Sequence, residues 1–189
     1  MKASAMLKTI VPLVLTGVLC LIMAACSNTG GKPPVENNGT KVVTIVLSGG
    51  YGTMFDTLPL EYTVCNDATI HVSYDLSDLE EEGMSFKGNN EYVIKISDEQ
   101  YSKITDALSK AHLDSIEIIS REGVLDGSSQ SFIAYDENGN QIRRIGGYMV
   151  DNDELNELEK NVFECFDAQQ RSEIKNMGKE LEKEYNAQL

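Results

Sequence analysis

Two short stretches constrain the fold more than any others. In the first, the β-prone run Tyr92-Val93-Ile94-Lys95-Ile96 meets Ser97-Asp98-Glu99-Gln100 with no linker between them. Ser97 is placed to cap a helix, Gln100 to reach back to it, and Ile96 to staple onto Tyr101. In the second, the strand-like run Gln141 to Tyr148 leads into Asp151-Asn152-Asp153-Glu154. There Asp151 is the expected cap, Glu154 closes the box and Val150 staples to Leu155. Each start opens an amphipathic helix: Tyr101, Ile104, Leu108 and Ala111 form one apolar stripe, and Leu155, Leu158, Val162 and Phe166 form the other.

The remaining strands come in adjacent pairs. Val42 to Leu47 is β-branched and apolar on both faces, the pattern of a central strand. Leu60 to Val64 and Thr69 to Tyr74 alternate around Asn66-Asp67, which reads as a hairpin. Gln130 to Tyr135 and Gln141 to Tyr148 flank Asp136-Glu137-Asn138-Gly139-Asn140, a second hairpin. Asp75 to Asn90 is an acidic connection with room for one helical turn, and Ile116 to Ile119 is a candidate short strand. Capped helices entered from strands, with paired strands elsewhere, predict an α+β domain. It has a mostly antiparallel sheet with two main helices on one face, in two layers. The domain is expected to span 42–167. Residues 168–189 read as a polar helical tail, either a loosely docked extension of the last helix or a frayed end. Ile174, Met177, Leu181 and Tyr185 keep helical spacing there, while Gly178 and dense charge oppose it.

The N-terminus carries an address. Lys2 and Lys8 precede an almost wholly apolar run from Ile10 to Ala25, the n-region and h-region of an export signal. At about 16 residues the run is short of the ~20 that a bilayer span needs. It ends in Leu21-Ile22-Met23-Ala24-Ala25-Cys26. This stretch resembles the lipobox of bacterial lipoproteins, with Met23 where the family usually has Leu. The resemblance implies that residues 1–25 are removed, that Cys26 carries a diacylglyceryl group, and that the mature chain sits on the extracytoplasmic face of the cell membrane. Two acyl chains anchor stably where one would be marginal. Ser27 to Lys41 has no hydrophobic period and reads as a tether, so that 26–41 comprise the lipidated cysteine and a flexible spacer.

Charge narrows the partners. The whole chain has a formal charge of −14, and loss of Lys2 and Lys8 leaves 14 basic residues against 30 acidic ones, or −16. Such a chain is a poor match for nucleic acid, whose phosphates need basic contacts. Anionic headgroups repel it too, so lipid rather than charge would hold it at the membrane. Cys65 and Cys165 remain once Cys20 leaves with the signal and Cys26 takes lipid. An even pair in an exported chain is open to two readings: a disulfide across about 100 residues, worth about 4–5 kcal/mol on the chain-entropy view, or two small buried hydrophobes.

No catalytic, metal or cofactor constellation stands out. Ser48-Gly49-Gly50-Tyr51-Gly52 is the ligand-loop candidate, with backbone donors at Gly49, Gly50 and Gly52 and Tyr51 as a platform, but no nucleotide motif follows it. Asp136, Asn138 and Asn140 imitate the start of a calcium loop, yet Gln141 and Gly147 stand where Gly and Glu belong. His71 and His112 have no neighbouring ligands at metal spacing, and no Gly-x-Ser-x-Gly elbow exists. Asp126-Gly127-Ser128, the Tyr-Asp-x-x-Gly hairpin and Gly146-Gly147-Tyr148 before a helix resemble domains of uncharacterised surface lipoproteins of Gram-positive anaerobes, over residues 90–167. The expectation is a non-catalytic binding or interaction module at the cell surface, with a protein, peptide or polysaccharide ligand. The alternatives are an accessory subunit of a membrane or wall complex and a carboxylate-based hydrolase of wall polymers.

Overall fold

The computed structural model describes residues 39–49, 57–113, 128–148 and 152–189. In chain order these form β1 (Lys41–Ser48), β2 (Leu60–Cys65), β3 (Thr69–Tyr74), a short helix α1 (Ser77–Glu81), β4 (Tyr92–Lys95), α2 (Asp98–Ala111), β5 (Ser129–Tyr135), β6 (Gln141–Tyr148), α3 (Asp153–Phe163) and α4 (Ala168–Asn186). The expected leader and most of the expected tether lie outside the described residues. So do Gly50, Tyr51 and Gly52 of the loop candidate, Ile116 to Ile119, and Val150-Asp151.

The strands make one six-stranded sheet in the order β4-β3-β2-β1-β5-β6, every neighbouring pair antiparallel. The fold is α+β. Residues opposite each other across antiparallel strands share a face, so the register sorts the sheet into rows. One row runs Tyr92, Val72, Tyr62, Ile45, Phe132, Ile145 from edge to edge. The next runs Ile94, Ile70, Val64, Val43, Ala134. These two rows form the floor of the core, and Ile104 and Ala107 of α2, Leu155, Leu158 and Val162 of α3, and Ile174 of α4 cover it.

The opposite face is polar where it can be. Its central row reads Val93, His71, Thr63, Thr44, Ile133, Arg144. The Thr44 and Thr63 hydroxyls share a 2.8 Å hydrogen bond, and Tyr135 Oη lies 3.1 Å from Thr44 Oγ1. His71 is buried, with Nε2 3.3 Å from Thr69 Oγ1 and Nδ1 2.8 Å from Glu91 Oε1. Among the described residues no buried side-chain nitrogen or oxygen lacks a partner.

The helix starts follow local chemistry. Ser97 caps α2 with the full capping box to Gln100. For α3 the cap is Asn152, whose side chain accepts from Leu155 N, and not Asp151 one residue earlier. Asn and Asp serve equally well as caps, so the adjacent pair left the register ambiguous. The larger difference is at the C-terminus. Residues 168–189 are not a tail on the preceding helix: Asp167 and Gln170 build a separate capping box, and α4 docks as a third long helix. Ile174 joins the main core, while Leu181 closes a satellite cluster with Leu76 and Leu79. The folded unit therefore runs through α4. Replacing Asp167 with Ala removes that box and should cost about 1 kcal/mol, a melting-point drop of roughly 2–4 °C that calorimetry would read.

Cys65 and Cys165 are free thiols and not a disulfide, and of the two only Cys65 is buried. Cys65 is buried at the end of β2, and Cys165 donates its Sγ–H to Asn161 O at 3.3 Å beyond α3. Burial pushes both thiols above the ordinary value.

Candidate functional site

The turn between α3 and α4 is only four residues long, Glu164 to Asp167. It brings Phe163 and Phe166 together over the sheet. Both rings meet Tyr62 edge-on, at centroid distances of 4.9 and 5.7 Å, an arrangement aromatic pairs prefer. Beside them opens a hollow of about 390 Å³, lined by Leu47, Tyr62, Phe163, Phe166, Ile174 and Arg171. A second, polar hollow of about 420 Å³ shares Phe163 and Arg171, and is walled by Gln130, Asn156, Glu159, Lys160 and Glu164. The two hollows adjoin at these shared residues, the first with an apolar lining and the second with a charged one, and are called the recess below.

Arg171 joins the two halves. Its Nε donates to Phe166 O at 3.0 Å and its Nη2 to Phe163 O at 3.2 Å, the latter carbonyl also accepting from Phe166 N at 3.1 Å, so the guanidinium ties the turn to α4. A guanidinium has five N–H donors in a fixed fork, so these bonds orient the group and leave others directed elsewhere. Arg171 makes no ion pair with a described residue. Across the polar hollow, Gln130 Nε2 donates to Glu159 Oε2 at 2.5 Å. Burial alone raises the Glu159 carboxyl above the ordinary value. Tyr62 is pushed up to about 12, first by burial and then by the Tyr74 hydroxyl, with Arg171 opposing and Glu159 adding to the rise.

The second carboxyl with a raised pKa, Glu61, stands on the other face of β2 from Tyr62. Burial is the main cause and the Asp75 charge the second, with Lys41 and Arg144 opposing. A carboxyl raised on folding holds its proton more tightly in the folded chain. Its ionisation therefore works against folding from just above its ordinary 4.5 upward, and costs nothing below that value. Glu61→Gln should raise the melting temperature at pH 7, and the gain should vanish near pH 4. Paired melts check this, and an equal gain at both pH values would point to packing instead.

The sequence assigned no ligand role to any recess residue: Phe166 and Ile174 stood out only as members of helix stripes, and Leu47 and Gln130 only as strand ends. Gly49 of the loop candidate is the residue after β1, two beyond the wall residue Leu47. His71 and His112 are not brought together with other ligands: among the described residues no group of three or more His, Cys, Asp or Glu is placed to hold a metal. Asp136 closes the β5–β6 turn, accepting from the backbone of Asn138 and Asn140. The nearest sequence signal for the recess was the Phe163-x-x-Phe166 pair just ahead of Asp167. A third hollow of about 590 Å³ adjoins β6, lined by Leu108, His112, Leu113, Tyr135 and Ile142 among others; its lining reaches Leu113, where the described residues pause.

No family model matches the chain, and no curated protein matches its sequence.

Proposed function

We propose that the chain is a lipid-anchored, extracytoplasmic binding module that holds a small ligand in the recess at the α3–α4 turn and does not transform it. The observation that carries this reading is the recess itself. An apolar wall backed by a few oriented polar groups on rigid elements is the usual make-up of a ligand site. Among the described residues the carboxyls with raised pKa are Glu61 and Glu159, and they stand on opposite sides of the sheet, which favours binding over a hydrolase needing two acids across one bond. Ile142 and Leu189 are the only large hydrophobics exposed among the described residues, which favours a ligand recess over a broad apolar docking face.

The test is a thermal-shift screen of amino acids, short peptides and sugars against the full chain in phospholipid nanodiscs. A ligand at a hundred times its Kd stabilises by about 2.7 kcal/mol, a rise of at least 5 °C at roughly 2–4 °C per kcal/mol. The rise should be absent in Phe166→Arg, which fills the hollow; no class of compound raising it would overturn the reading. The anchor has its own test. Cys26→Ser should abolish labelling by fatty acid and release the chain to the medium; label retained by that variant would disprove the attachment.

A further inference from the structure

We propose that the ligand is an apolar α-amino acid, held by its side chain in the 390 Å³ hollow, its carboxylate on Arg171 and its ammonium on Glu159. This rests on the recess being a ligand site and goes on to name what fits it. The recess offers charge of both signs beside one greasy hollow.

Leu47, Tyr62, Phe163, Phe166 and Ile174 supply an apolar lining to a hollow that opens to solvent, and Arg171 is its one charged wall residue. An apolar side chain gains about 25 cal/mol for each Å² it hides there. The two bonds from Arg171 to the Phe163 and Phe166 carbonyls fix the guanidinium plane before any ligand arrives. A carboxylate is the group that matches the free part of that fork, and it does so bidentately. An apolar acid alone would satisfy this, but Glu159 also faces the polar hollow. Glu159 has one hydrogen bond from Gln130 and no ion pair among the described residues. Its burial makes an unpaired carboxylate costly and a cationic partner favourable. Arg171 and Glu159 line the same hollow without forming a salt bridge with each other. Of the four charged residues that line this hollow, Lys160 and Glu164 are exposed and Lys160 pairs with Glu157 at 3.7 Å. Arg171 and the half-buried Glu159 are then the opposite charges set beside the apolar slot, and they match a ligand with a carboxylate and an ammonium flanking an apolar group.

Calorimetric titration of the full chain in nanodiscs separates the contributions. The probes are L-phenylalanine, L-leucine, phenylalaninamide, which lacks the carboxylate, and N-acetyl-L-phenylalanine, which lacks the ammonium. L-Phenylalanine and L-leucine should bind, and each blocked probe should bind at least tenfold more weakly than L-phenylalanine. The variants should cross over. Arg171→Gln should erase the preference over phenylalaninamide while keeping that over N-acetyl-L-phenylalanine, and Glu159→Gln should do the reverse. A general loss of structure would erase both preferences together, and the wild-type probe series stands even if a variant fails to fold. Blocked probes that bind as tightly as L-phenylalanine would overturn the amino-acid assignment and leave the recess as a binding site. Failure of all four probes, with another compound stabilising the chain in the screen, would overturn it likewise. Failure of every compound would overturn the binding reading beneath it.

Discussion

Ending the chain at Asp167 is expected to leave a protein that cannot hold its fold. The cut removes α4, and with it Ile174 from the main core and Leu181, which is fully buried, from the satellite cluster. Truncating one buried aliphatic side chain to Ala costs about 2–5 kcal/mol, while whole domains are stable by about 5–15 kcal/mol. Losing two such residues, and the cover they give Leu76, Leu79 and Tyr62, consumes most of that margin. The helix also ties down the stretch before β4. Ser85 N donates to Gln188 Oε1 at 2.8 Å, Lys87 N to Glu184 Oε2 at 2.6 Å, and Tyr92 Oη to Glu173 Oε2 at 2.5 Å. Gly178 lets α4 sit directly on Tyr74: a Cβ there would lie 2.8 Å from Tyr74 Cζ and closer still to its hydroxyl. The graded version is Leu181→Ala, which should lower the urea midpoint by an amount worth about 2–5 kcal/mol without abolishing folding. If α4 were a fraying appendage, both changes would leave the melt of the remainder unchanged.

What could be read from the sequence was what is local. The Ser97–Gln100 box depends on four consecutive residues, and each hairpin depends on a turn with a strand-like run on either side, so pattern alone located them. Where two local signals competed, the reading slipped: Asp151 and Asn152 are equally good caps, and only the structure assigns the role to Asn152. For α4 the pattern was present but undervalued. Ile174, Met177 and Leu181 keep helical spacing in a highly charged segment, and only the partners across the fold show that this stripe is buried. Gly178 counted against a helix when taken by itself. Packed under Tyr74, it is the reason the helix can approach. The recess was invisible for a different reason. Leu47, Tyr62, Glu159, Phe163 and Arg171 come from β1, β2, α3 and α4 and share no spacing, because sheet order and not chain order brings them together. Cysteine parity failed likewise: two thiols in one chain say nothing about whether the fold sets them side by side.

Phe132→Ala is expected to be the most damaging single truncation in the sheet, at about 3–5 kcal/mol and a melting-point drop of roughly 10 °C. Read alone, β5 is one arm of a hairpin. In the fold it is an inner strand, paired with β6 on one side and with β1 on the other. That places Phe132 between Ile45 and Ile145 in the apolar row that crosses all six strands, 1% exposed and the bulkiest fully buried side chain among the described residues. Removing its ring leaves a cavity bounded by neighbouring strands and by helices already anchored elsewhere, α2 by its capping box and α3 by its Asn152 cap and Arg171. Such walls relax little, and the cost of a cavity rises with the volume that stays empty. Glu137→Ala, at an exposed position in the turn after the same strand, is the control and should fall within about 0.5 kcal/mol of the parent. Chemical denaturation of the three proteins side by side decides it. A Phe132→Ala loss no larger than the control's would mean that β5 does not carry the inner, helix-covered position on which the two-layer core is built.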